Sequence, residues 1–207
     1  ELLYYGVDKV FLYDEVELKQ FKVDIYTNVF KDCIDKVKPS IVLIGGTPNG
    51  RSLAPAIATR CRTGLTADCT RLEVKPNTDL VQIRPAFGGN IMAQIITPSS
   101  RPQFATVRYK VMDSAKRSED SHGSLQTMEI AHDKLESNID ILNIRAKERE
   151  LDISEADVIV AAGRGVKRGE DLKMLGELAS LLGAQLAVTR PLVEAGRASH
   201  SRQIGLS

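Results

Sequence analysis

The chain reads as an α/β protein built on parallel sheets and divided into two units, and three observations carry that reading. Ile41-Val42-Leu43-Ile44 is a short run that is apolar at every position, the pattern of a strand covered on both faces. Such runs alternate with longer stretches of helical periodicity, the arrangement that builds α/β layers. A second strand–turn–helix–strand pattern opens after the charged run Arg145–Glu150, read as a solvated boundary. The first unit is therefore expected over residues 1–148 and the second over 149–207.

In the first unit a helix is expected from Glu15 to Lys38. Phe21, Ile25, Val29, Cys33 and Val37 recur every four residues, and Pro39 stops the pattern. The strand Ile41–Ile44 follows, and Gly45-Gly46-Thr47-Pro48-Asn49-Gly50 turns the chain into a helix beginning near Arg51. Thr70–Lys75, Leu80–Arg84, Asn90–Thr97 and Gln103–Arg108 are β-rich and separated by turn signals, which predicts three or four adjacent strands paired as hairpins at the sheet edge. The polar stretch Met112–Thr127 predicts a loop, and the weak alternation of Asn138–Lys147 another strand.

In the second unit Asp157–Ala161 predicts a strand and Ala162-Gly163-Arg164-Gly165 a tight turn. A helix is expected from Gly169 to Leu182, with Leu172, Leu175, Leu178, Leu181 and Leu182 inward and Glu170 and Asp171 in its first turn. Gly183 ends it and Gln185–Val188 is the next strand. Two strands and one helix cannot close a core, so the unit reads as incomplete and the chain as an internal fragment of a longer polypeptide.

Composition narrows the function. With 43% hydrophobic and 27% charged residues, the chain is neither disordered nor collagen-like. Lys and Arg number 28 against 27 Asp and Glu, so no bulk charge attracts nucleic acid or an anionic membrane. No stretch approaches the roughly 18 apolar residues of a membrane span, and no signal pattern opens the chain. Cys33, Cys61 and Cys69 are odd in number and lack CxxC spacing, which suits a reducing compartment, so a cytoplasmic location is expected. His122, His132 and His200 are scattered, and no serine sits in Gly-x-Ser-x-Gly. Neither a metal site nor a catalytic nucleophile is predicted.

Three stretches could bind a ligand. At Gly163-Arg164-Gly165-Val166-Lys167, glycines permit a sharp turn and close approach, the following helix start favours an anion, and Arg164 and Lys167 add positive charge. An ordinary turn with two exposed basic residues fits that stretch equally well. Thr189-Arg190 closes the next strand, where ligands of open parallel sheets sit; there Arg190 is either a second anion contact or a surface arginine before Pro191. The third stretch is Arg202-Gln203-Ile204-Gly205-Leu206-Ser207, a loop with amide donors and a hydroxyl.

In this order and spacing the three stretches resemble the flavin-binding domain of the electron-transfer flavoprotein α-subunit, with its Gly-Arg-Gly-x-Lys, Ser/Thr-Arg and Gln-Val/Ile-Gly-x-Ser/Thr motifs. Thr63–Cys69, Arg84–Ala93 and Arg101–Arg108 are similar to that subunit's N-terminal domain. The resemblance implies an adenine-nucleotide-hydrolase-like parallel-sheet domain that hydrolyses nothing and docks a β-subunit in a heterodimer. It further implies the first part of a doubly wound FAD-binding domain. Arg164 would contact the phosphate side of FAD, and Thr189 and Arg190 would lie near its ring. Gln203, Ile204, Gly205, Leu206 and Ser207 would supply the cofactor loop. A fixed cation beside the ring stabilises anionic reduced flavin, which makes Arg190 the candidate for tuning its potential. Electron transfer between acyl-CoA or other dehydrogenases and their acceptors is the implied function. The wording of Arg190–Gly196 and Gln203–Ser207 looks more like the anaerobic-type subunits, some of which take part in flavin-based electron bifurcation. Leu206 departs from the Gln of many relatives. Arg84 is open between a structural role and one facing the partner's cofactor. The rival function is a non-redox adenine-nucleotide-binding regulatory module, kept open by Gly45–Arg51.

Overall fold

Strand β1 (Lys9–Leu12) precedes helix α1 (Val23–Val37), and that helix starts where an aromatic pair lets it. Phe21 and Tyr26 bracket the helix start and meet edge to face with ring centroids 5.0 Å apart, a hydrophobic staple across the first turn. The Tyr26 hydroxyl also donates to Leu18 O at 2.8 Å. The helix expected from Glu15 is therefore absent over its first part, which holds only a 3-10 turn at Val16–Lys19, with Gln20 and Lys22 extended. Each four-residue step advances about 40° around a helix. Ile25 and Val29 are buried, whereas Val37, three steps past Ile25, has rotated to 39% exposure.

The computed structural model describes residues 1–145, 153 and 156–205. The chain separates into the units Glu1–Ile141 and Leu142–Ser207, and the boundary expected at residues 148 and 149 lies outside the described residues. In the first unit β2 (Ile41–Gly45) leads through α2 (Pro48–Arg60) to β3 (Leu65–Cys69). Thr47 caps α2 by accepting from Gly50 N at 3.1 Å, and Pro48 occupies the first turn, so the helix begins before Arg51. Next come β4 (Arg71–Val74), β5 (Leu80–Ala86) and β6 (Ile91–Ile95), an antiparallel meander of order β4-β5-β6.

Strand β7 (Gln103–Val107) corrects the hairpin expectation. It lies between β2 and β3, parallel to both. Gln103 through Thr106 are buried, with Phe104 and Ala105 at 0% exposure, which is the burial of a central strand. Phe104 packs with Ile34, Leu53, Ile57 and Ala58 beneath the two helices. Strand β8 (Ser124–Thr127), in the stretch expected to be loop, pairs in parallel with β1. Residues 138–145 form no strand, and of the run Arg145–Glu150 only Arg145 is described.

The second unit contains β9 (Ile159–Ala162), α3 (Gly169–Leu181), β10 (Gln185–Thr189), α4 (Arg190–Glu194) and β11 (Gln203–Ile204). The strands are parallel in the order β11-β10-β9, so this sheet has a third strand beyond the two expected. Leu172 and Leu175 pack on Ala162, Val188 and Leu192 as expected. Leu178, Leu181 and Leu182 instead stand 43%, 86% and 56% exposed. The stripe is completed by buried Ala179, which shares a face with Leu172 and Leu175 at i, i+3, i+7 spacing. Gly183, at φ 62°, closes the helix. Among the described residues no helix is long and apolar enough to cross a membrane.

Candidate functional site

The carboxyl edge of the β9–β10–β11 sheet gathers the predicted binding residues. Register pairs Ala162 with Val188, Val188 with Gln203, and Thr189 with Ile204. Gly163-Arg164, Thr189-Arg190 and Ile204-Gly205 therefore leave three neighbouring parallel strands at one level. That edge is where ligands of open α/β sheets lie. A Cβ on Gly163 would stand 3.7 Å from Thr189 Oγ1, so the ends of β9 and β10 approach closely there. The space beside Gly165 is open, and Val166 N donates to Gly163 O at 3.0 Å to close the turn.

The side chains differ in how they are held. Arg164 is exposed, Thr189 is half-buried, and Arg190 is exposed with its Nε donating to Glu194 Oε1 at 2.7 Å. Arg190 thus carries its own counter-ion within α4, which no reading of Thr189-Arg190 alone revealed, although the i, i+4 spacing to Glu194 was there to be read. Gln203 and Ile204 are half-buried and Gly205 adopts φ 84°. Leu206 and Ser207 lie outside the described residues. An open glycine turn, two guanidinium groups and a hydroxyl along one sheet edge fit a ligand with phosphates at one end and ring oxygens at the other.

The carboxyl edge of the first unit's parallel sheet is occupied differently. Gly46 N donates to Val107 O at 2.7 Å, and Arg51 Nε donates to Gly46 O at 2.9 Å. A Cβ on Gly50 would fall 2.0 Å from Gly45 O. Close approach of the chain to itself accounts for Gly46 and Gly50, but not for Gly45, where a Cβ would meet only Thr47 Cγ2 at 3.9 Å. Beside them Arg108 forks onto Asp68 through Nε at 3.0 Å and Nη2 at 2.6 Å. That fork lowers the Asp68 carboxyl against a smaller opposing effect of burial, with the fields of Arg51 and Arg84 adding to it. Arg84 is half-buried and makes only a long contact, 3.5 Å, to Pro85 O.

A polar hub not evident from sequence ties α1 to both flanking segments. Asp32, 7% exposed, accepts from Tyr13 Oη at 3.0 Å, Lys134 Nζ at 2.7 Å and Lys36 Nζ at 2.6 Å. Burial alone would raise its carboxyl, but these donors outweigh it and hold the pKa at about 2. Burial and the bond to Asp32 push the Tyr13 hydroxyl up. Cys69 is buried, Cys33 and Cys61 are half-buried, and burial raises all three thiols, the opposite of a reactive cysteine. Among the described residues no group of His, Cys, Asp and Glu is arranged to hold a metal.

Comparison with known proteins follows the same division of the chain. The family model described as the electron transfer flavoprotein domain matches residues 1–133. The electron transfer flavoprotein FAD-binding domain matches residues 152–207, the stretch that carries every candidate binding residue. Over 207 residues the chain is 58% identical to the lactate dehydrogenase (NAD(+),ferredoxin) subunit LctC of Acetobacterium woodii, covering 100% of this chain and 50% of that protein. It is 41% identical over 207 residues to protein FixB of Clostridium saccharobutylicum, covering 99% of this chain and 62% of the relative. It is 40% identical over 217 residues to the electron transfer flavoprotein subunit alpha of Clostridium acetobutylicum, with the same two coverages. The chain thus spans between 50% and 62% of the length of these curated relatives.

Proposed function

Because this chain belongs to the electron-transfer flavoprotein family, in its α-subunit branch, we propose that it forms part of an FAD-carrying subunit that passes electrons between a dehydrogenase and an acceptor. The observation that carries the reading is the convergence of Arg164, Thr189, Arg190, Gln203, Ile204 and Gly205 on one carboxyl sheet edge. Leu206 and Ser207, the remaining residues expected to line the cofactor, follow directly in sequence. When bound, FAD supplies reversible electron chemistry that no side chain here offers. The chain's own contribution is to bind and bias. Arg164 and the open Gly163–Gly165 turn receive the phosphates, and Thr189 offers a hydroxyl to the ring. Arg190 brings a permanent cation whose charge Glu194 partly compensates.

The first unit is the docking body for a β-subunit, so the working molecule is a heterodimer. The 58% identity to a lactate dehydrogenase (NAD(+),ferredoxin) subunit supports a complex that exchanges electrons among lactate, NAD(+) and ferredoxin, with flavin-based bifurcation. Three free cysteines support a cytoplasmic location. The non-redox nucleotide module has weaker support, because close backbone contacts explain Gly46 and Gly50 without a ligand and Arg51 is turned onto Gly46 O.

The test is a visible absorption spectrum of the protein purified with its β-subunit. Flavin absorbance is expected, and Arg164→Ala should weaken FAD binding about tenfold, the scale of one lost charge-assisted contact. A colourless complex that free FAD does not reconstitute would overturn the assignment.

A further inference from the structure

The amino ends of the first unit's parallel strands carry a cavity on the edge opposite Asp68 and Arg108. There Gln103 N donates to Ser40 O at 2.9 Å and Thr63 Oγ1 donates to Pro102 O at 3.0 Å, so the starts of β2, β7 and β3 lie side by side. The cavity measures about 330 Å³ and is lined by Lys31, Lys38, Arg60, Arg62 and Arg101 with one carboxylate, Asp35. In a chain of net charge +1, five cations have been gathered around a single acid.

Part of that charge is spoken for. Lys31 pairs with Asp35, and Arg101 pairs with Asp79 at 2.8 Å. Lys38, Arg60 and Arg62 have no carboxylate partner among the described residues. Two helices, α1 and α2, end at this cavity, and each carboxyl end carries about half a negative charge, which cations there ordinarily complement. Two such ends offset roughly one of the three unpaired cations, so about two positive charges remain uncompensated.

The backbone holds two of these cations in place at the helix ends. Lys38 and Arg62 sit at φ 52° and 53°, the left-handed region in which glycine or asparagine is the ordinary choice after a helix. Long cations hold both positions, and both line the same cavity.

We propose that this cavity binds a compact polyanion of the phosphate class, a pyrophosphate or phosphate-ester group. The forks of Arg60 and Arg62 match phosphate oxygens in pairs, and Lys38 acts as a point charge beside them. A volume near 330 Å³ suits a small ligand, at the low end of the sites that hold drug-sized molecules. The cavity lies wholly within the first unit, and the proposal does not depend on the flavin assignment.

Isothermal titration of sodium pyrophosphate into the complete complex, at about 50 mM salt so that screening is weak, tests the proposal. Saturable binding is expected, and the double variant Arg60→Gln/Arg62→Gln should weaken it at least about tenfold, two charge-assisted contacts being removed. Both arginines are exposed, so the variant folds and flavin content is unchanged. Arg51→Gln, on the opposite edge, should bind pyrophosphate as the parent does. The proposal is overturned by absence of saturable binding, by equal binding in the double variant, by loss of binding in Arg51→Gln instead, or by binding of polyglutamate where pyrophosphate does not bind.

Discussion

Replacing Asp32 with asparagine keeps its shape and an acceptor for Tyr13 but removes the charge that two lysines surround. The carboxyl is held at about 2 against its ordinary 3.8, a displacement worth about 2 kcal/mol. Lys36 and Lys134 are 43% and 45% exposed, so solvent screening reduces the effect to between about 1 and 2 kcal/mol. The folded-state pKa is depressed, so this stabilisation is fully present above about pH 4 and is lost as pH falls through about 2. Hydrogen exchange of the α1 amides, measured in the complete complex, reads the change locally. Exchange in Asp32→Asn should run about tenfold faster than in the parent at pH 7. At pH 3, where the unfolded carboxyl is largely protonated and the folded one is not, about half the free energy remains and the ratio should fall to about threefold. Equal exchange at pH 7, or one ratio at both pH values, would refute the assignment of the low pKa to this hub.

Other substitutions test separate parts of the structure. Gly50→Ala drives a methyl group against Gly45 O and should cost at least about 2 kcal/mol, read as a lowered thermal midpoint. Phe104→Ala empties the centre of the first core, where a loss of about 3–5 kcal/mol is expected in urea unfolding. Arg108→Gln breaks the fork to Asp68, both partners being partly exposed, and should cost about 1 kcal/mol, less at high salt. With Arg190→Ala, the flavin potential of the complex should fall by about 30 mV, the two-electron equivalent of about 1.4 kcal/mol; an unchanged potential would remove Arg190 from the neighbourhood of the ring.

What was legible along the chain was local. The start of α2 could be read to within a few residues because Thr47 and Pro48 act within one helical turn. The end of α3 is set by Gly183 alone. That the three motifs would share one sheet edge was legible because each ends a strand, and parallel strands deliver their carboxyl ends to one side. The failures have a common source. Gln103–Val107 has the composition of a hairpin neighbour, yet its partners β2 and β3 are decided by which faces can be buried together. Strand β8 is exposed throughout and carries one apolar residue, Leu125, so no hydrophobic pattern marks it, and pairing with β1 makes it a strand. The apolar count of α3 favoured Leu178, Leu181 and Leu182, while the sheet accepted the small Ala179.

The sequence by itself determined an α/β chain in two parts, the turns that carry glycine, proline and a capping hydroxyl, and the order of the flavin motifs. These depend on backbone sterics and on neighbours within a few residues. Only the tertiary structure decided that Asp32 would meet Tyr13 and Lys134, that Arg108 would clasp Asp68, and that five cations would share one cavity. Most of these contacts join residues distant in the chain. Each forms when packing of the apolar faces sets the positions of side chains that carry no record of one another in sequence.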